Sequence, residues 1–474
     1  MSFQQPPIRK QAKKNFTDEG DQLFKMGIKI LQQSKSQKQK AEAYMFFAKA
    51  ADMGNLKAME KMADALLFGN FGMQNITAAI QLYESLAKEG SYKAQNALGF
   101  LSSYGIGMEY NQAKALIYYT FGSAGGSMMS QMILGYRYLS GINVLQNCEV
   151  ALNHYKKVAD YIADKLEKSE GIPVEKVRLT ERPENLSSNS EILDWDIYQY
   201  YKFLAERGDV QIQVSLGQLH LIGRKGLDQD YYGNAIGLHG LGLLYFYGKG
   251  VPVLYKGVCE LGHWAEKFLT AYFAYKDGDI DSSLVQYALL AEMGYEVAQS
   301  NSAFILESKK AKIFEKEKMY PMALLLWNRA AIQGNAFARV KIGDYHYYGY
   351  GTKKDYQTAA THYSIAADKY HSAQAMFNLA YMYEHGLGIA KDIHLARRLY
   401  DMAAQTSPDA HIPVFFALVK LETVHLFQDI LFFNQFTMRW KWMKLDNTLG
   451  PYWDLFVIGL IVTVLIFLLR NCYG

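Results

Sequence analysis

The side chains best equipped for chemistry are scattered. Six of the eleven histidines fall between residues 346 and 411, at His346, His362, His371, His385, His394 and His411. Two imidazoles can share a metal when they stand at i and i+4 on a helix or close together in a loop. No pair here has that spacing. There is no HExxH pattern, no Walker-type phosphate loop and no GxSxG nucleophile elbow. Gly237, Gly240 and Gly242 resemble a dinucleotide loop only superficially. No strand pattern precedes them, and close helix packing accounts for them better. The three cysteines, Cys148, Cys259 and Cys472, form no CxxC. They indicate neither zinc nor a disulfide framework. A Cys148–Cys259 bridge is open to them, but free thiols are the simpler reading. The expectation is therefore a protein with no cofactor, no metal and no catalytic residues.

Composition points the same way. The 474 residues are 50% hydrophobic and 20% charged, as in an ordered protein, and the net charge of +4 is too small to imply nucleic-acid binding. Residues 1–20 are polar and carry Arg9, Lys10, Lys13 and Lys14, which reads as a solvated, disordered leader rather than a nuclear-import patch. No apolar core follows them, so a secretory signal is not expected.

What organises the chain is repetition. Between Met322 and Ala404 one pattern is written nearly twice: Gly343 and Ala380, Gly349 and Gly386, Asp355 and Asp392, Tyr363 and Tyr400 each stand 37 residues apart. Toward the N-terminus a 36-residue ladder carries Phe47, Tyr83, Tyr119 and Tyr155 on one rung. Such periods belong to solenoids of helix pairs that bury their faces against neighbours. The residue types have physical roles. Small residues at Gly99, Gly135, Gly217, Gly343 and Ala380 let helix axes approach closely. Gly105, Gly141, Gly349 and Gly386, six residues on, fall where a helix C-terminus needs a left-handed residue. Asn111, Asp355 and Asp392 sit near N-caps. The tyrosine rung is expected to fill the seam between helices with its hydroxyl reaching solvent.

The fold expected is all-α: an α-α superhelix of repeats with a C-terminal transmembrane helix. Repeats occupy 21–163. An irregular linker loop follows at 164–195. Residues 196–283 hold middle repeats that are truncated, since the sequence leaves no room for complete helix pairs there. Repeats resume over 284–412. An apolar, amphipathic juxtamembrane segment covers 413–448 and a membrane span 449–470. Within it, Leu455–Leu469 is uncharged for fifteen residues and Tyr452 and Trp453 supply an aromatic anchor. The sequons at Asn75 and Asn185 are glycosylation candidates, and Asn15 opens a third.

Several stretches match a known family. ALGFLSSYGIG (97–107), QAKALIYYTFG (112–122), TAYFAYKDGD (270–279), LLAEMGYEVAQSN (289–301), HSAQAMFNLAYM (371–382), SPDAHIPVFFAL (407–418) and LGPYWDL (449–455) resemble the Sel-one-like repeat proteins. The likeness is to the branch that supplies the adaptor of the Hrd-type ubiquitin ligase in the endoplasmic reticulum membrane, here as a shortened paralogue. It implies a non-catalytic, membrane-anchored adaptor that links misfolded clients to that ligase. The docking end would be 408–433, with Pro413, Phe415, Phe416, Leu418 and Leu421 as contact residues. The family's signal peptide, long N-terminal region and Pro-rich tail are not matched, so the side of the membrane is left open, as is self-association. The alternative is a membrane-tethered scaffold not engaged with the ligase, or an inactive splice form.

Overall fold

The computed structural model describes residues 8–33, 37–72, 74–166, 176–180, 255–257, 259–260 and 262–429, with a few single positions elsewhere. Among the described residues every regular element is a helix. Helices α1 (Ile8–Gln33) and α2 (Gln37–Asp52) pair. So do α3 (Leu56–Phe68) with α4 (Ile76–Lys88), α5 (Tyr92–Tyr104) with α6 (Gln112–Ala124), and α7 (Met128–Ser140) with α8 (Cys148–Leu166). A 3-10 turn at His263–Glu266 then leads into α9 (Lys267–Lys276), α10 (Ile280–Glu292), α11 (Glu296–Glu307) and α12 (Lys316–Ile332). The last run is α13 (Ala336–Tyr348), α14 (Tyr356–Tyr370), α15 (Ala373–His385), α16 (Ile393–Thr406) and α17 (His411–Asp429).

Two expectations about organisation change. The polar leader is helical from Ile8, just after Pro6 and Pro7. Its lysines and glutamines are good helix formers. The chain also divides elsewhere than at the polar loop. Its compact units are Met1–Gln333 and Gly334–Gly474, so the border falls within the stretch read as one run of repeats. Much of 164–195 and most of the middle repeats lie outside the described residues, Gly217 among them.

Four helix pairs close on one contact, a ring from the second helix over a glycine on the first. The two stand 20 residues apart in Gly27–Phe47, Gly99–Tyr119, Gly135–Tyr155 and Gly343–Tyr363. A Cβ added at these glycines would lie 2.7, 2.9, 3.1 and 2.5 Å from the ring. Ala63 before Tyr83 and Ala380 before Tyr400 hold the same places and are fully buried. Contrary to the sequence expectation, the tyrosine hydroxyls do not reach water. Tyr83, Tyr119, Tyr155, Tyr363 and Tyr400 are at most 2% exposed. A buried hydroxyl needs a partner, and the first helix supplies it. Tyr83 donates to Asp64 (2.6 Å), Tyr363 to Asp344 (2.7 Å) and Tyr400 to Glu384 (2.9 Å), while Tyr119 meets the Ser103 hydroxyl at 3.4 Å. Tyr155 finds no partner among the described residues. Burial, reinforced by the facing carboxylate, holds the Tyr83 and Tyr363 hydroxyls protonated far above the usual phenol range.

Caps set the helix ends. Asn55, Asn75, Ser91, Asn111, Ser127, Asn335, Asp355, Ser372 and Asp392 each accept a backbone N–H from the first helical turn. Gly105, Gly141, Gly349 and Gly386 end their helices in the left-handed region, at φ between 69 and 76°.

In Met1–Gln333, α10 is enclosed. Every residue from Ser282 to Glu292 is buried. The helix packs on α9, α11 and α3. Its last residue, Glu292, receives Arg137 from α7 (Nε to Oε1, 3.0 Å) and Arg329 from α12 (Nη1 to Oε2, 2.8 Å). Arg137 also donates to Gln112 at 2.9 Å and lies over the Tyr119 ring. Burial alone would raise the Glu292 carboxyl, but Arg137 and Arg329 outweigh it and hold it at about 2. Alongside, Gln299 donates to the Tyr136 hydroxyl (2.9 Å) and Gln333 to the Gln299 carbonyl oxygen (2.7 Å). Neither partner of Glu292 was apparent in the sequence.

Two outcomes follow. The Tyr363 ring is pinned by its bond to Asp344, so it cannot retreat from an added methyl, whereas the Tyr155 hydroxyl has no partner among the described residues. Gly343→Ala should cost about 1–3 kcal/mol of stability, and Gly135→Ala should be close to neutral; denaturant melts that rank the two in reverse would refute the seam. For Glu292 the folded carboxyl titrates below its ordinary 4.5. Its contribution is complete above that value and is lost as pH falls from there toward about 2. Glu292→Gln should flatten that part of the stability–pH curve and destabilise at pH 7 by about 3 kcal/mol or more, because two arginines are left buried without their carboxylate.

Candidate protein-interaction surface

The last described helix carries the strongest surface signal. α16 stops at Thr406, Ser407 is extended, and Pro408 opens the short 3-10 turn Pro408–Ala410, from which α17 starts. One face of α17 is core. Val414 and Leu421 are buried, and Ala417 and Leu418 pack partly buried beside them against the cluster that contains Met376, Leu379, Leu399 and Ala403. Positions 414, 418 and 421 have the i, i+4, i+7 spacing of a buried helical stripe.

The opposite face is apolar too. Ile412 is 71% exposed, Phe415 62% and Phe416 41%, and Pro413 is exposed beside them. The Phe415 and Phe416 rings meet edge to face with centroids 5.6 Å apart. Polar clips fix the helix in this orientation. Lys420 lies 3.5 Å from Glu384, the same carboxylate that takes the Tyr400 hydroxyl, and Arg397 pairs with Glu422. Burial, with Glu384 opposite, keeps the Tyr400 hydroxyl protonated well above the usual phenol range. A helix clipped on its polar edges with two aromatic rings left in water is the pattern of a docking face. Of the five contact residues expected from the sequence, Pro413, Phe415 and Phe416 face outward. Leu418 is half-buried and Leu421 is core, so these two hold the helix instead of a partner. Ile412 completes the outer face and was not singled out beforehand; Val424 is exposed on the flank beside Leu421.

The remaining candidates fall in separate places. Asn75 is exposed and caps α4, its Oδ1 accepting the Ala78 N–H at 3.0 Å, which leaves engaged the oxygen and not the nitrogen a glycan would modify. Asn185 and most of the expected span at 449–470 lie outside the described residues, as does Cys472. No helix among the described residues is long and apolar enough to cross a membrane. Cys148 and Cys259 are free thiols, and burial pushes Cys259 up to about 12. The fold brings together one histidine pair that spacing did not reveal. His346 and His362 stack with ring centroids 6.0 Å apart, and burial, then Arg339 and His346, lower His362 to about 4, which keeps it neutral near pH 7. The signal was present in the register: His346 is three residues past Gly343 and His362 one before Tyr363. No group of three or more metal-ligating side chains exists among the described residues.

Comparison with known proteins matches the Sel1 repeat at residues 23–55, 56–91, 93–127, 129–160, 235–256, 336–371 and 373–405. The chain is 72% identical over 592 residues to "Protein sel-1 homolog 2" of Rattus norvegicus, covering 98% of this chain and 86% of the rat protein. The protein of the same name from Homo sapiens is 72% identical over 598 residues, with 98% and 86% covered. "ERAD-associated E3 ubiquitin-protein ligase component HRD3B" of Arabidopsis thaliana is 30% identical over 464 residues, covering 77% of this chain and 75% of its own. The first two alignments are longer than the 474 residues here, so those relatives carry stretches without a counterpart in this chain.

The two faces of α17 make opposite demands on substitution. Phe415→Asp with Phe416→Asp should leave the thermal midpoint within about 2 °C of wild type, as surface changes usually stay within ±0.5 kcal/mol. Leu421→Ala should cost about 2–5 kcal/mol as a core truncation. Equal losses in the two variants would show that both faces are buried.

Proposed function

The chain belongs to the Sel1 repeat family, and from that membership we propose that it works as a non-catalytic adaptor in endoplasmic-reticulum-associated degradation. Its partners are a membrane ubiquitin ligase of the Hrd type and misfolded client proteins. The outer face of α17 docks the ligase, and the apolar stretch 449–470 spans the membrane once. What carries this reading is the clipped helix with Phe415 and Phe416 in water. A fully packed repeat array needs no such face for its own stability. The printed name of the Arabidopsis relative, a ligase component, supports the class of partner. A body built of structural Tyr–carboxylate and Arg–Glu pairs suits holding other proteins rather than turning them over. A lumenal array would carry glycans at Asn75 and Asn185.

A second reading rests on the alignment length. Relatives carry stretches that this chain lacks, which supports truncated middle repeats and a scaffold that no longer engages the ligase.

Co-purification from detergent-solubilised membranes separates the two. The first reading expects the ligase to be recovered with the wild-type chain and to fall at least tenfold with Phe415→Asp/Phe416→Asp. Recovery of no ligase with a folded wild-type chain would favour the scaffold.

A further inference from the structure

The polar stretch expected only to divide the array contains a seated segment. Residues 176–180, Lys-Val-Arg-Leu-Thr, are irregular and lie on α11. Asn301 on that helix grips the backbone from both sides of one residue. Its Nδ2 donates to the Val177 carbonyl (2.9 Å), and its Oδ1 accepts the Leu179 N–H (2.9 Å). This is how a neighbouring parallel strand would pair with residue 178, and it reads no side chain. Side chains are read separately. The Arg178 guanidinium forks onto Glu296, Nη1 to Oε1 at 2.9 Å and Nη2 to Oε2. Two residues earlier, Lys176 pairs with Glu260 and lies 4.9 Å over the Tyr295 ring. Residues i and i+2 turned to one side is the alternation of an extended chain.

The Glu260–Tyr295 part of the receptor is held by contacts that do not involve its occupant. Lys256 holds Glu260 at 2.8 Å, Trp264 donates to the Tyr295 hydroxyl at 2.9 Å, and that hydroxyl donates to the Glu260 carbonyl at 2.9 Å. Asn301 is fully buried beneath the segment. The occupant is anchored less firmly. None of residues 176–180 is buried, and the Lys176 and Arg178 side chains keep 30% and 29% of their surface exposed. Partly exposed ion pairs hold weakly, and chain connectivity supplies an effective concentration on the order of millimolar. We infer that the α11 face formed by Glu296, Asn301, Glu260 and Tyr295 is a receptor for extended peptides bearing Lys-x-Arg, and that residues 176–180 occupy it as an internal competitor. An incoming segment of a protein partner with the same chemistry displaces the chain's own. This site is remote in sequence from α17, and its failure would leave the ligase-docking reading untouched.

The test uses the full chain and a fluorescein-labelled peptide, Lys-Val-Arg-Leu-Thr with blocked ends, read by anisotropy. Arg178→Glu sets a carboxylate against Glu296 and should expel the internal segment. The variant should bind the peptide at least tenfold more tightly than wild type. Adding Glu296→Gln, or replacing the peptide's Arg by Glu, should remove the gain. An Arg178→Glu chain that melts like wild type yet binds no more peptide overturns the inference, as does binding indifferent to the peptide's Arg. Should that variant not fold, hydrogen exchange on the wild-type chain decides. Millimolar peptide should accelerate exchange at the Leu179 amide; an unchanged rate refutes displacement.

Discussion

An aromatic ring lying on a residue with almost no side chain sets the distance between the helices of each pair, and the repeats inherit their geometry from it. At Gly343 the ring of Tyr363 fills the volume where a Cβ would be. Apolar contact of this kind is favourable but not directional. Direction comes from the hydroxyl, which must find an acceptor once buried. The acceptor sits either next to the small residue, as Asp64 and Asp344 do, or four positions after it, as Ser103 and Glu384 do. Both positions lie on the same helical face one turn apart. At Phe47 the rung has no hydroxyl and requires no acceptor. The Tyr155 hydroxyl has no acceptor among the described residues.

A second constraint is specific to Met1–Gln333. α10 has no solvent face, yet it contains serines, a glutamine and Glu292. Such a helix is stable only if its polar groups are answered by neighbours. Ser283 donates to the Ala271 carbonyl, and Glu292 takes two arginines from helices far apart in the chain. A buried carboxylate with two cations contributes little over an apolar substitute, but it penalises every arrangement in which one partner is missing. That makes it suited to joining the helices before the polar stretch to those after it.

The outer surface divides by a related logic. Where backbone and charge are presented together, as by Asn301 and Glu296, recognition is of an extended segment and is exchangeable. Where rings are left bare on a helix whose other face is core, as on α17, the recognition we propose is of a complementary apolar surface. A repeat protein can carry both, because its stability resides in the seams between neighbours and leaves outer positions free to vary.

Much of this was written in the residue order. The helix pairs, the Asn, Ser and Asp caps and the left-handed glycines depend on local geometry, where spacing along the chain equals spacing on a helix. The ring and its small residue, 20 apart in six of the helix pairs, belong to one pair and are legible for the same reason. Tertiary structure alone decided what lies beyond one repeat. It put Arg137 on Glu292 across 155 residues and laid Val177 and Leu179 on Asn301. It turned Leu421 inward and left Phe415 in water, although both are apolar residues of one helix. It also sent the Tyr83, Tyr363 and Tyr400 hydroxyls to carboxylates instead of solvent. Periodicity tells which residues share a face; it does not tell which neighbour meets that face, and burial, charge pairing and hydroxyl satisfaction are properties of the neighbour.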